Sequence, residues 1–360
     1  MEIRAKSSIE ARKPVLHGGL YSKNTSISGI LDFSSNLTPL GTPLQIKNAI
    51  KKQLKKIENY PDVNYSNLLF ALTKYTKLPE SNLIVGNGAV EIIYNFCAAF
   101  LSKDTPVLIP IPTFGEYEAA SKLNTLRILF FKTMDLSKNI DSFISKIPKN
   151  GCVFICNPNN PTGKLIPKQF VMQIVNEAKQ RNSLVFIDEC FIELVPQSNE
   201  SIIHKVKKFD NVLVLRSLTK SFGLAGIRIG YASSSKYIAS VLKKIQIPWS
   251  VSSVAEFAGI TALDNLHHIS RSNSVIKKEY DFLKKTISSI NGFECIDSTT
   301  NFILIKTKHD STKLQKKLLG KKILVRDCKN FRGLNEHFIR IAVKSHKDNI
   351  KLVKALETIK

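Results

Sequence analysis

Between Leu83 and Ala232 the chain alternates short apolar runs with longer amphipathic stretches. The runs fall near 83–86, 106–110, 126–131, 152–156, 184–188, 212–216 and 227–232. Runs such as Val212-Leu213-Val214-Leu215 are continuously apolar, the pattern of a buried strand. The stretches between them carry helical spacing: from Val90 to Leu101, residues Ile92, Ile93, Phe96 and Phe100 share one face. Alternation of this kind predicts an α/β fold with a mostly parallel seven-stranded sheet. Beyond it, 267–290 reads as one long helical arm, and 301–306, 323–325 and 338–343 as strands of a smaller α+β unit. The expected division is a large domain over 46–270 and a small domain built from 1–45 and 271–360.

Composition changes this picture little. The 360 residues can bury a large core across two domains. No run of about 18 apolar residues predicts a membrane span. The polar start, Met1 to Lys13, lacks the apolar centre of a secretory signal. The six cysteines form no C-x-x-C pair, and Cys152 and Cys156 share one apparent strand. Reduced core thiols and a cytoplasmic location are expected. The formal charge of +24 raises the question of nucleic acid. The lysines are widely spread, however, and no aromatics interleave with them as in a stacking groove. A solvated basic surface is the expectation, with a long-range pull on an anionic substrate.

The chemistry concentrates where apolar runs end. Val212–Leu215 leads into Arg216-Ser217-Leu218-Thr219-Lys220-Ser221-Phe222-Gly223, and Arg228 follows Lys220 by eight residues. A lysine at the end of a buried strand is costly unless chemistry uses it. The chemistry that fits is a Schiff base with pyridoxal 5'-phosphate, with hydroxyls and an arginine on the phosphate. Val185-Phe186-Ile187-Asp188 ends in a carboxylate that can pair with a pyridine nitrogen. Asn160, in Asn157-Pro158-Asn159-Asn160-Pro161-Thr162-Gly163, can bond the ring 3-oxygen. The amides of Gly88, Ala89 and Val90 open a helix and can hold phosphate. Each has an ordinary alternative: Asp188 as a cap, Asn-Pro-Thr-Gly as a turn, Lys220 as a surface lysine. It is their joint order along the chain that points to one site.

These segments resemble the fold-type I pyridoxal-phosphate enzymes of the aspartate aminotransferase superfamily, in the histidinol-phosphate aminotransferase branch. Within the branch, four features resemble the threonine-phosphate decarboxylases of cobalamin biosynthesis. They are His17-Gly18-Gly19 ahead of Asp32–Gly41, Phe191 in Asp188-Glu189-Cys190-Phe191, Ile247–Val251, and Ile323–Leu334 followed by Phe338–Ala342. Aminotransferases usually carry tyrosine at the position of Phe191.

The resemblance implies that Lys220 holds the cofactor, that Phe114 stacks on its ring, and that Ser217, Thr219 and Arg228 clamp its phosphate. It implies that Tyr60 reaches the neighbouring subunit's site in a homodimer, although Tyr60 and Phe114 could each be core packing. Arg340 would grip the substrate carboxylate with help from Asn36. For a substrate phosphate, His17 and Arg326 are the candidates, with Arg332 and Lys329 weaker ones. The implied reaction is decarboxylation of O-phospho-L-threonine to (R)-1-amino-2-propanol phosphate. The alternatives are amino transfer on histidinol phosphate and, more remotely, a non-catalytic binding or regulatory protein on the same fold. No metal is expected.

Overall fold

The computed structural model describes residues 5–20 and 28–359. Parts of the polar start and of the 1–45 segment, residues 1–4 and 21–27, lie outside the described residues. The strands run β1 (Leu31–Asp32), β2 (Leu83–Gly86), β3 (Val107–Ile111), β4 (Ile128–Lys132), β5 (Cys152–Cys156), β6 (Leu184–Asp188), β7 (Val212–Ser217) and β8 (Gly230–Ser234). They continue with β9 (Phe293–Cys295), β10 (Phe302–Thr307), β11 (Ile323–Leu324), β12 (Arg326–Asp327) and β13 (Phe338–Ala342).

Seven strands form one sheet in the order β2-β8-β7-β6-β5-β3-β4. From β7 to β4 the pairings are parallel, while β8 runs antiparallel to both β2 and β7. The predicted mostly parallel seven-stranded sheet is therefore the one observed. Its central strands are apolar until their last residues, Asp188 on β6 and Arg216-Ser217 on β7, because helices cover both faces, and every residue of β5 and β7 is buried. On one face the helix Gly88–Phe100 sets Phe96 against Phe154 and Phe186, with ring centroids 6.1 and 4.9 Å apart. On the other, the helix Lys168–Gln180 buries Val171, Ile174, Val175 and Ala178.

The strand expected from 227 starts only at Gly230. Arg228 has φ +61°, a left-handed conformation that breaks an extended ladder, so residues 227–229 form a loop despite their apolar content.

The helix His267–Ser288 leads to a four-stranded antiparallel sheet, β12-β13-β10-β9. It shares a core with the helices Ser311–Gly320 and His346–Glu357, centred on Ile303, Ile305, Ile339 and Ile341. β1 pairs in parallel with β11 beside this sheet. The segment ahead of it takes a different course. Ser8 and Arg12 bond Leu123 and Tyr94, and Val15 packs where Gly115 lacks a side chain, all on helices of the large sheet.

Candidate active site

Strand register assembles the site. Ser217, Gly230 and Gly86 are direct partners in one row across β7, β8 and β2. Lys220 lies three residues beyond Ser217, Arg228 two before Gly230 and Gly88 two beyond Gly86. Asp188 ends the next strand, β6. Ligands of open α/β sheets bind at such carboxyl ends. A cleft of about 1710 Å³ opens there. It is lined by His17, Asn36, Ala89, Val90, Phe114, Asn160, Asp188, Ser217, Thr219, Lys220, Arg228, Arg326 and Arg340.

Lys220 sits on the short helix Leu218–Phe222, capped by Ser217, whose side chain accepts from the Thr219 amide at 3.2 Å. Burial pushes the Lys220 amine below the ordinary lysine range, with the cations Arg340 and Arg228 adding to the effect. An amine so placed sheds its proton more readily, as a nucleophile must. Its Nζ stands 5.7 Å from the centroid of the Phe191 ring.

Asp188 is 5% exposed. Burial raises its carboxyl above the ordinary range, against donors that favour the charge. Those donors are the Cys190 amide at 2.9 Å and the Tyr117 hydroxyl at 2.7 Å. Tyr117 is held against Phe154, 5.3 Å away in a stacked arrangement, and Phe114 meets it edge-on at 5.6 Å. A buried carboxylate that lines the cleft, with no salt-bridge partner among the described residues, fits a ring nitrogen that carries a proton.

The helix start supplies an anion cradle. Gly88 has φ +75°, and a β-carbon there would lie 2.3 Å from Arg228 Nη2. Only glycine leaves room for the guanidinium against the first turn of the helix. A β-carbon on Gly230 would stand 2.7 Å from the Ala89 amide nitrogen, so a second glycine lets the strand approach the same turn. With Ser217 and Thr219 beside it, this donor set fits the phosphate and amine-reactive aldehyde of pyridoxal phosphate.

On the opposite wall, Arg326 and Arg340 are direct partners on β12 and β13. Both are buried, and both donate to neutral acceptors. Arg326 Nη2 donates to the Leu16 carbonyl at 2.6 Å and to Asn330 Oδ1 at 2.9 Å. Arg340 donates to Asn160 Oδ1 and, at 2.9 Å, to the Ser34 carbonyl. Its Nε and both side-chain polar atoms of Asn36 are buried without a partner among the described residues. Burial pushes Arg340 down to about 10, and neighbouring Arg326 adds to the fall, yet it stays charged at neutral pH. Two adjacent guanidinia with no carboxylate paired to either among the described residues, and only Asp32 and Asp327 acting at longer range, form a trap for anions.

Several predicted residues are engaged by protein partners or stand apart from the cleft. Asn160, assigned to the ring 3-oxygen, lines the cleft while its Oδ1 accepts from Arg340. His17 is half exposed, and its Nε2 pairs with Glu116 Oε1 at 2.6 Å, with its ring 5.8 Å from Phe114. Glu116 lies below the ordinary carboxylate range, because bonds from His17 and Tyr94 outweigh its burial. Arg332 reaches Glu118 with two bonds, at 2.8 and 2.7 Å, on the rim. Tyr60 is 82% exposed, stacked 5.0 Å from Trp249, and does not line this chain's cleft. Tyr117, Glu116 and Asn330 were not anticipated. Tyr117 and Glu116 act through partners 71 and 99 residues away, and Asn330 bonds both Arg326, four residues before it, and the Leu16 carbonyl, 314 residues away.

A family model for class I and II aminotransferases matches residues 28–359. A protein of Caldanaerobacter subterraneus subsp. tengcongensis, provisionally named a threonine-phosphate decarboxylase, is 37% identical over 353 residues, covering 96% of this chain and 94% of that protein. The histidinol-phosphate aminotransferase of Methanococcus aeolicus is 32% identical over 343 residues, covering 93% and 91%. Among solved structures, the histidinol-phosphate aminotransferase from Clostridium acetobutylicum superposes with a TM-score of 0.82 at 34% identity, covering 91% of this chain and 98% of that one. The chain belongs to the aminotransferase class I and II family and is a pyridoxal-phosphate enzyme.

Proposed function

We propose that this enzyme decarboxylates O-phospho-L-threonine, releasing CO2 and 1-amino-2-propanol phosphate, with a proton taking the carboxylate's place at Cα. The observation that carries the reading is the pair Arg326 and Arg340, two buried guanidinia side by side with only neutral acceptors. The substrate has two anionic ends to meet them. Arg340, beside the unpartnered side chain of Asn36, takes the carboxylate through a two-bond fork. Arg326, near His17, takes the phosphate.

Bound pyridoxal phosphate supplies an electron sink for the charge left at Cα when a substituent departs. Lys220 Nζ would be the amine that anchors the cofactor and the group that would return a proton to Cα. Asp188 Oδ1 and Oδ2, oriented by Cys190 and Tyr117, hold the ring nitrogen protonated. Gly88, Ala89, Val90, Ser217, Thr219 and Arg228 would hold the cofactor phosphate, and Phe114 would pack on its ring. Arg340 would fix the direction of the substrate carboxylate, and orientation of that group would decide which bond at Cα is cleaved. Phe191 supports the same reading: an apolar ring stands by Lys220 where aminotransferases usually carry tyrosine.

The histidinol-phosphate aminotransferase reading is favoured by the identities of 32 and 34% to enzymes of that name. Substrate assays separate the two. Decarboxylation releases CO2 from phosphothreonine, whereas amino transfer converts the cofactor to its amine form and releases none.

The proposed unit is a homodimer in cytoplasm. Tyr60 and Trp249 stack on the surface, and Ile57, Val63 and Ile247, close to them in sequence, are also exposed; a second copy covering these apolar side chains would bring Tyr60 to the partner's cofactor phosphate. Light scattering that finds an active monomer overturns it. No helix among the described residues is long and apolar enough to cross a membrane.

A further inference from the structure

A second polar cluster lies behind the cleft, built from residues that alternate with those of the site. Glu189 follows Asp188, Arg216 precedes Ser217 and Ser221 follows Lys220. Strand alternation turns Arg216 to the side opposite Ser217, and Glu189, just past the end of β6, and Ser221, on the short helix, meet its network there rather than lining the cleft. Arg216 is at the centre, 6% exposed. Its Nε donates to Glu189 Oε2 at 2.9 Å, its Nη1 to Glu193 Oε1 at 3.1 Å and its Nη2 to Ser201 Oγ at 2.7 Å. Glu193 Oε1 also accepts from the Tyr75 hydroxyl at 2.7 Å, and Oε2 accepts from the Ser221 hydroxyl at 2.6 Å. Glu189 further accepts from the Ser201 hydroxyl and the Ile202 amide. From the long helix, the Asn273 side chain donates to the Glu193 carbonyl at 3.1 Å.

Fold stability alone is a poor reason for this arrangement. Two carboxylates and one guanidinium taken out of water leave a net negative charge, and apolar residues of similar size often serve a core as well or better. What the cluster adds is geometry. It grips the chain at the residue next to each of three cleft groups: Asp188, Ser217 and Lys220. A fully bonded buried network holds its members in one arrangement.

We propose that Glu193, anchored by Arg216, is a positioning residue that fixes Lys220 through its bond to the Ser221 hydroxyl. The short helix Leu218–Phe222 has little stability of its own, and this bond sets its rotation so that Nζ points into the cleft. The proposal rests on Lys220 being the cofactor-binding amine.

The test compares two hydroxyl deletions at the same carboxylate. Ser221→Ala removes the link to the Lys220 turn. Tyr75→Phe removes an equivalent donor that touches no part of it. Glu193→Asp shortens the arm and breaks the Ser221 link by a second route. Apo-proteins are mixed with pyridoxal phosphate, and the growth of visible absorbance is followed across pH, with Tm recorded alongside. Ser221→Ala and Glu193→Asp should each slow capture about tenfold or more, the scale on which misplaced reacting groups act. Tyr75→Phe should lower Tm comparably and leave the capture rate and its pH midpoint unchanged. Equal slowing in all three, or no slowing in either Ser221→Ala or Glu193→Asp, overturns the proposal. Lys220→Ala should show no capture. Capture by that variant would overturn the lysine assignment and this proposal together, whatever reaction the enzyme performs.

Discussion

Replacing Gly88 with alanine tests the phosphate cradle at its tightest point. Two effects follow, and they separate. The backbone at φ +75° is left-handed, which costs an alanine about 1–2 kcal/mol. That strain acts on the protein with or without cofactor and shows as a Tm lowered by a few degrees. The second effect acts only on the phosphate. The new β-carbon would stand 2.3 Å from Arg228 Nη2 and 2.8 Å from its Cζ, so the guanidinium must swing away. Losing one charge-assisted hydrogen bond costs about 1.5–3 kcal/mol, roughly a 10- to 150-fold rise in Kd. The assay is absorbance titration of apo-protein with pyridoxal phosphate and with pyridoxal, which lacks the phosphate. Gly88→Ala should erode the preference for the phosphorylated form by that factor and change the pyridoxal Kd little. A folded variant with the preference intact would refute the cradle at Gly88 and Arg228.

Tyr117→Phe removes a donor that favours the charged form of Asp188, leaving burial to raise its carboxyl further. Turnover needs that charge, so the acid limb of the pH–rate profile should move to higher pH; an unmoved limb contradicts the role. Arg332→Ala should cost at most about 1 kcal/mol, because the guanidinium is 48% exposed and screened. Glu118 lies below its ordinary range because bonds from Arg332 and Lys122 outweigh its burial. The stabilisation is therefore present above about pH 4–5 and lost as pH falls through the lowered value, so the variant's deficit should vanish in acid. A raised KM for phosphorylated substrate at unchanged Tm would instead put Arg332 in the phosphate site.

The large sheet was legible because its central strands are buried on both faces, unlike the edge strand β4, and their apolar runs end abruptly in polar residues. Asp188 and Lys220 stand at such ends, and chain order alone placed them near each other. The antiparallel entry of β8 was not legible, since an apolar run carries no direction. Nor was its start at Gly230, because nothing in the apolar run marks the left-handed backbone at Arg228, whose guanidinium stands against the Gly88 turn. Tyr117 and Asn330 escaped notice for a related reason. Tyr117 meets Asp188 71 residues away, and Asn330 matters only because Arg326 also holds the Leu16 carbonyl, 310 residues from it. Arg326 and Arg340 were legible as cations, but their direct pairing across two strands is a fact of register.

That pairing is the centre of the account, and substrate-dependent CO2 release tests it most directly. Purified enzyme with pyridoxal phosphate should release CO2 from O-phospho-L-threonine and far less from threonine, because the unphosphorylated substrate leaves a buried guanidinium unmatched. Arg326→Ala should erode this preference more than Arg340→Ala does. Equal rates on the two substrates, or amino transfer from histidinol phosphate with no CO2 from phosphothreonine, would contradict it.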